Sequence, residues 1–426
     1  MKKKAIIILG AGATIAWDGP TTSKITKLLL DSSEFQTIHN ENLALYIRNT
    51  LVAFYGCEKS EINFEHIVNA LESLSDYLYE SIKGAPPQFV GSKPIWFELS
   101  KTFADIENYR FEPYQQSQDS GLLFNNAKPG DSPYIAVEKV NCSRYYILEV
   151  IKHYLTIIRT QINSYDVSST VAKYNSVNEQ LWDFYTRLKK EGYVVRFYTT
   201  NYDELLPKIF KEQRGVQLYS GFDQIKNYTV DYFPNIREIL LNRDVECYYN
   251  LHGSIYWQTG TNKDYEPSFV YSEGDGQTHE RYFRSEGTNP AERTIIFNIV
   301  TGFSKLQKVS VEPLKSFFNS LTYDCIDADL LISVGYSYSD NHINNILKHS
   351  VSENKAKLLH ITFSENILGT PEFINMQQCV IRRRSHEEFK KDGNWHVTED
   401  KKALIYSGGF QSFLENRDWE IKNMWS

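Results

Sequence analysis

The sequence predicts an α/β fold: a Rossmann-like, mostly parallel sheet with helices on both faces, carrying a large and mainly helical insert. Three apolar runs, at Ala5–Leu9, Val194–Tyr198 and Leu330–Val334, read as parallel strands buried on both faces. Each ends in small or polar residues: Gly10-Ala11-Gly12, Thr199-Thr200-Asn201 and Gly335-Tyr336-Ser337. A fourth strand, Tyr248–Asn250, ends the same way in Leu251-His252-Gly253-Ser254. Such residues gathered at one sheet edge mark the ligand crevice of an open α/β sheet.

In chain order, the first strand runs into Gly10-Ala11-Gly12-Ala13-Thr14, a glycine-paired turn expected to open a helix and to let backbone amides approach a phosphate. Ile15 stands where the dinucleotide fingerprint has its third glycine, which disfavours an ordinary dehydrogenase. The stretch from Ser23 to Lys190 is far longer than one crossover needs, so it is expected to be an insert. Phe64, Ile67, Val68, Leu71 and Leu74 fall on one helical face, and residues 146–162 and 181–188 are also amphipathic. Residues 84–94 and 112–133 are expected to be surface loops.

The second strand ends in Thr200-Asn201-Tyr202-Asp203, which is either an ordinary turn and helix start or a polar site over the strand end. His252 alone would be a satisfied structural residue. Asp340 alone would cap a helix from about His342 to His349, although its carboxylate, or the Ser337 hydroxyl, can instead meet a ribose or a phosphate. Four such strand ends together favour a nucleotide site. Phe410, Phe413, Leu414, Trp419 and Trp425 give the C-terminal part an apolar face, for packing on the main domain or for assembly. The expected organisation is a sheet domain of residues 1–30 and 190–390, an insert of 31–189 and a C-terminal segment of 391–426.

Length and charge narrow the class. A chain of 426 residues exceeds the usual single core and calls for a second module. A net charge of -7, with basic runs no longer than Lys2-Lys3-Lys4 and Arg382-Arg383-Arg384, argues against nucleic acid as the main direct ligand. No run approaches the ~18 apolar residues of a membrane span. Five scattered cysteines fit a reducing compartment, and a cytoplasmic location is expected.

Taken together, these segments resemble a sirtuin. Gly10-Ala11-Gly12-Ala13-Thr14 is similar to the family's glycine motif, and Gly19-Pro20-Thr21-Thr22 stands at its Gly-x-Pro cofactor loop. Thr200-Asn201-Tyr202-Asp203 resembles the Gln-Asn-x-Asp motif, and His252 with Gly253 resembles the catalytic histidine and its following glycine. Gly335-Tyr336-Ser337 resembles the late Gly-Thr-Ser, and Leu359-His360-Ile361-Thr362 stands at a strand end near the adenosine. The resemblance covers residues 1–25 and 190–385. The segment from Gly335 to Asn345, with Ile299-Val300-Thr301-Gly302, is similar more narrowly to bacterial sirtuin-like NADases of anti-phage defence.

The chain also departs from the deacylases. Cys57, Cys142, Cys247, Cys325 and Cys379 lack their paired Cys-x-x-Cys spacing, so no structural zinc is expected. Thr21-Thr22-Ser23 replaces Asp-Phe-Arg in the cofactor loop. The longer separation of Asn201 from His252 suggests an insertion over the site at about Gln213 to Val245, and residues 260–289 suggest a cover near His252.

The resemblance implies cleavage of the nicotinamide–ribose bond of NAD, with NAD as substrate. Asn201, His252 and Asp203 would be catalytic: Asn201 holds water or the ribose, His252 accepts a proton, and Asp203 orients the Asn201 loop or meets the cationic ring. Gly10, Ala11, Gly12, Thr14, Thr21, Thr22, Thr200, Gly335, Ser337 and Asp340 would bind the cofactor. The family also implies a homo-oligomer and a HerA-type ATPase partner. An NAD-dependent protein deacylase and a non-catalytic NAD or ADP-ribose sensor are the alternatives.

Overall fold

A computed structural model of the protein describes residues 2–37, 41–82, 133–224, 231–261, 267–272, 283–284, 295–301, 308–353, 356–364, 366–381 and 389–416. The chain opens with β1 (Lys3–Leu9), a 3-10 turn (Ala11–Trp17), and helices α1 (Thr22–Asp31), α2 (Leu43–Tyr55), α3 (Phe64–Ile82), α4 (Pro133–Ser168) and α5 (Asn175–Lys190). Then come β2 (Tyr193–Thr199), α6 (Leu205–Arg214), β3 (Phe222–Gln224), β4 (Asp231–Pro234), α7 (Ile236–Leu241), β5 (Cys247–Asn250), β6 (Trp257–Thr261), β7 (Pro267–Ser272), β8 (Phe283–Arg284) and β9 (Ile295–Ile296). The rest comprises α8 (Leu314–Asp327), β10 (Leu330–Val334), α9 (Asn341–Lys348), β11 (Lys357–Ile361), α10 (Pro371–Cys379), β12 (Lys390–Asp392), β13 (Trp395–Val397), β14 (Ala403–Tyr406) and α11 (Phe410–Glu415).

Eight strands form the central sheet in the order β12-β13-β14-β11-β10-β1-β2-β5. Six of them, from β14 to β5, are parallel, and β12 and β13 form an antiparallel edge. Counted in chain order, the parallel strands lie 3-2-1-4-5-6, the doubly wound order, and the order reverses between β1 and β10. That switch point sets where a crevice opens.

Both faces are covered, as the unbroken apolar strands require. Ala5, Ile7 and Leu9 of β1 face a core shared with α1 to α6 and α11, whereas Ile6 and Ile8 face one shared with α8, α9 and α10. The C-terminal part supplies β12 to β14, and α11 buries Phe410, Phe413 and Leu414; Trp419 and Trp425 lie outside the described residues. Residues 84–94 and 112–132 also lie outside them. No helix among the described residues is long and apolar enough to cross a membrane.

A second, four-stranded antiparallel sheet, β3-β4-β7-β6, occupies part of the expected insertion between Asn201 and His252 and of the stretch 260–289. It packs through Phe222, Trp257 and Phe269 toward Phe317 of α8.

One buried feature had no sequence signal. Arg196, at the centre of β2, is fully buried and bonds Asp324 of α8 through Nε at 2.7 Å and Ser320 at 2.9 Å. Lys4 Nζ and Tyr198 Oη bond Asp324 at 2.8 and 2.6 Å, and Arg243 Nε reaches it at 3.3 Å. Burial acts to raise the Asp324 pKa, but Arg196 and Lys4 outweigh it and hold the carboxyl below its ordinary range. Removing one member of such a cluster strands a buried charge. Asp324→Ala is therefore expected to lower the unfolding free energy by about 3–5 kcal/mol, read from urea denaturation.

Candidate active site

A cleft of about 490 Å³ opens at the carboxyl ends of β1, β2 and β10, at the switch point. Its floor is made by backbone. The Gly10 amide donates to the Val334 carbonyl and the Gly12 amide to that of Gly335. A Cβ on Gly10 would stand 2.4 Å from the Gly335 oxygen, and one on Gly335, whose φ is +55°, would stand 2.3 Å from Gly12 Cα. These glycines are thus required by the contact between two loops.

Part of the expected phosphate cradle has partners within the protein. The Gly10 and Gly12 amides are already engaged, and the turn continues as a seven-residue 3-10 segment rather than a long α-helix. Gly10, Ala11, Gly12 and Thr14 do line the cleft. Thr21 and Thr22 line it too, but the Thr21 hydroxyl caps α1 by accepting from the Lys24 amide at 3.2 Å. Thr200, Gly335, Ser337 and Asp340 complete the expected set in the cleft.

The loop after β2 is pinned on both sides. Thr200 N–H donates to the Leu9 carbonyl, and Asn201 Nδ2 donates to the Gly10 carbonyl at 3.0 Å. From β5, the Asn250 amide reaches the carbonyls of Asn201 and Asp203 at 3.3 and 3.0 Å. Asn201 therefore enters the cleft on a fixed backbone.

Asp203 is not among the residues that line the cleft. It is 1% exposed, and its carboxylate accepts from Tyr165 Oη at 2.6 Å, Tyr248 Oη at 3.2 Å and the Leu205 amide at 3.1 Å. It is an anchor for the loop.

His252 follows β5 and reaches the same cleft. Its carbonyl accepts from the Val300 amide at 2.8 Å. Gly253, at φ +83°, is required because a Cβ there would lie 2.0 Å from the Asn298 oxygen. Asp340 is the N-cap residue of α9, yet its side chain makes no cap bond, and its Oδ1 lies 4.0 Å from His252 Nε2. α9 spans Asn341–Lys348 against the expected 342–349.

Residues from the insert were missed by sequence reasoning. Asn63, Phe64 and Glu65 at the start of α3, and Ile162 and Tyr165 of α4, line the cleft. Tyr202, also in the lining, donates to Glu65 Oε1 at 3.4 Å. The only local signal was Asn63, whose side chain accepts from the Glu65 amide as a helix cap. Glu65 and Asp340 are the carboxylates of the described lining, which includes no lysine or arginine.

Conversely, no described residue between Asp203 and Leu251 lines the cleft, and residues 225–230 of the insertion expected over the site lie outside the described residues. The described part of 260–289 does not line it either. His360 is fully buried, bonded to Ser333 at 2.9 Å and paired with Glu372 at 2.9 Å, and is outside the lining.

Residues 195–378 match the family model of the SIR2-like domain. The match runs from β2 to α10 and includes Asn201, His252 and Asp340, supporting a sirtuin-like domain and its use of NAD. No curated protein matches the chain.

Beneath the cleft lies a cluster of acids. Asp166 of α4 is bonded to Lys208 at 2.8 Å and Tyr256 at 2.5 Å. Desolvation and the Asp166 charge push Asp203 up to about 6 and Glu204 up to about 8. A carboxyl whose folded pKa is raised stabilises the fold most below its unfolded pKa, about 4 here, and loses that contribution as pH rises through the folded value. Stability should fall as pH rises from about 4, the Asp203 part of the fall ending near 6 and the Glu204 part near 8. Glu204→Gln should flatten the upper part of that fall, measured as the urea midpoint at a series of pH values.

Proposed function

We propose that the cleft hydrolyses NAD at the nicotinamide–ribose bond, releasing nicotinamide and ADP-ribose, and that this activity serves anti-phage defence by depleting NAD. The observation that carries the reading is the meeting of Asn201 and His252, from the ends of neighbouring strands, in one cleft at the switch point. The cleft volume falls within the roughly 300–1,000 Å³ of small-molecule sites.

The charge pattern suits the reaction. The pyridinium carries a positive charge that passes toward the ribose as the bond breaks, and the Glu65 and Asp340 carboxylates in the cleft favour that charge. Asn201, held through its Nδ2 by the Gly10 carbonyl, positions water or a ribose hydroxyl. His252 accepts the proton. Asp203 and Tyr165 keep the Asn201 loop in place. A homo-oligomer and a HerA-type ATPase partner belong to the same proposal, on resemblance.

The SIR2-like match is also compatible with NAD-dependent deacylation, so an acetylated peptide is the competing substrate. Asn201→Ala and His252→Ala should each lower nicotinamide release at least ~100-fold, the scale of losing a positioned catalytic group, with the fold retained. Normal NAD hydrolysis by both folded variants would overturn the assignment. Release that depends on the peptide would favour the deacylase, and ADP-ribose binding without release the sensor.

A further inference from the structure

We infer that His252, Asp340 and His342 form a binding site for a zinc-type divalent ion, and that the ion restrains the enzyme by occupying its histidine. The consequence for activity rests on the hydrolase reading; the metal site does not. Candidate ligand atoms of the three residues all lie within 4.8 Å of one another. His252 Nε2 and Asp340 Oδ1 are 4.0 Å apart, and the two imidazole rings lie 5.7 Å apart between centroids with an interplanar angle of 34°.

The local fold explains the convergence. Asp340 and His342 flank the first residue of α9, while His252 is fixed by the Gly253 turn and the Val300 amide. Because the Asp340 carboxylate makes no cap bond to α9, coordination would not cost the helix its cap. A tetrahedral ion with bonds of about 2.0–2.1 Å needs donors about 3.3 Å apart. The present spacing requires a closure of about 1 Å, within reach of side-chain torsions.

Two imidazoles and one carboxylate suit zinc or cobalt better than magnesium or calcium, which prefer all-oxygen sites. Coordination through His252 Nε2 uses the lone pair that would otherwise accept a proton. A zinc-loaded chain is therefore an inactive one, and removal of the ion restores it. His342 is not among the cleft-lining residues and has no part in the proposed chemistry.

The test titrates the chelator-stripped full chain with zinc chloride against a chromophoric chelator, and separately records cobalt absorption. One zinc per chain is expected, with affinity at least about tenfold weaker in His342→Ala, since even outer partners of metal ligands cost about 10–100-fold. Nicotinamide release should be suppressed by zinc and restored by chelator in the wild type, while His342→Ala retains release within about twofold and resists zinc. Binding that His342→Ala leaves unchanged, or no stoichiometric binding, would overturn the site. Should His342→Ala and His342→Gln both fail to fold, the wild-type cobalt spectrum decides: intense visible bands of low coordination support the site, and the weak hexa-aquo spectrum overturns it. Wild type that releases no nicotinamide even with chelator would sink the hydrolase reading and leave the zinc titration standing.

Discussion

Backbone packed directly on backbone, where the turn after β1 meets the residue after β10, is the constraint on which the site depends. Gly12 and Gly335 approach so closely that neither tolerates a Cβ. The contact fixes the Leu9 and Gly10 carbonyls, which in turn receive Thr200 and Asn201 from β2. A wedge at this point would part the strands at the switch point, and the neighbouring loop would lose its acceptors. The same glycines that resemble a phosphate-binding motif thus have a prior structural task.

Two buried polar clusters hold the sheet from opposite faces. On one, Arg196, Lys4 and Tyr198 converge on Asp324 of α8. On the other, Tyr165 and Tyr248 converge on Asp203, with Asp166, Lys208 and Tyr256 beyond. Charges taken out of water need partners with defined geometry, so each cluster fixes direction as well as distance. The second lies immediately behind the Asn201 loop and ties it to α4, an element of the insert. Loop position, acid protonation and insert packing are therefore coupled through direct hydrogen bonds.

The helical insert is part of the architecture of the candidate site. Glu65 at the start of α3 and Tyr165 of α4 bring its wall to the cleft that the strand ends open. An acidic residue in the first turn of α3 sits favourably against the positive end of that helix, and Tyr202 hydrogen-bonds it from the sheet side. The cleft thus takes its backbone floor from the sheet and part of its charge from the insert.

By itself the sequence determined the parallel sheet, because strands buried on both faces must be apolar throughout, and it located Asn201, His252 and Asp340 because strand ends at a switch point face the ligand crevice. It also marked the insert, since helical periodicity is a local property. Tertiary structure alone decided that Asp203 turns inward as an anchor, that the antiparallel sheet lies away from the cleft, and that Glu65 enters it. It alone brought His342 beside His252. Each of these depends on contacts between residues distant in the chain, and a side chain's spacing in sequence carries no record of which distant partner will satisfy its charge or share its cavity.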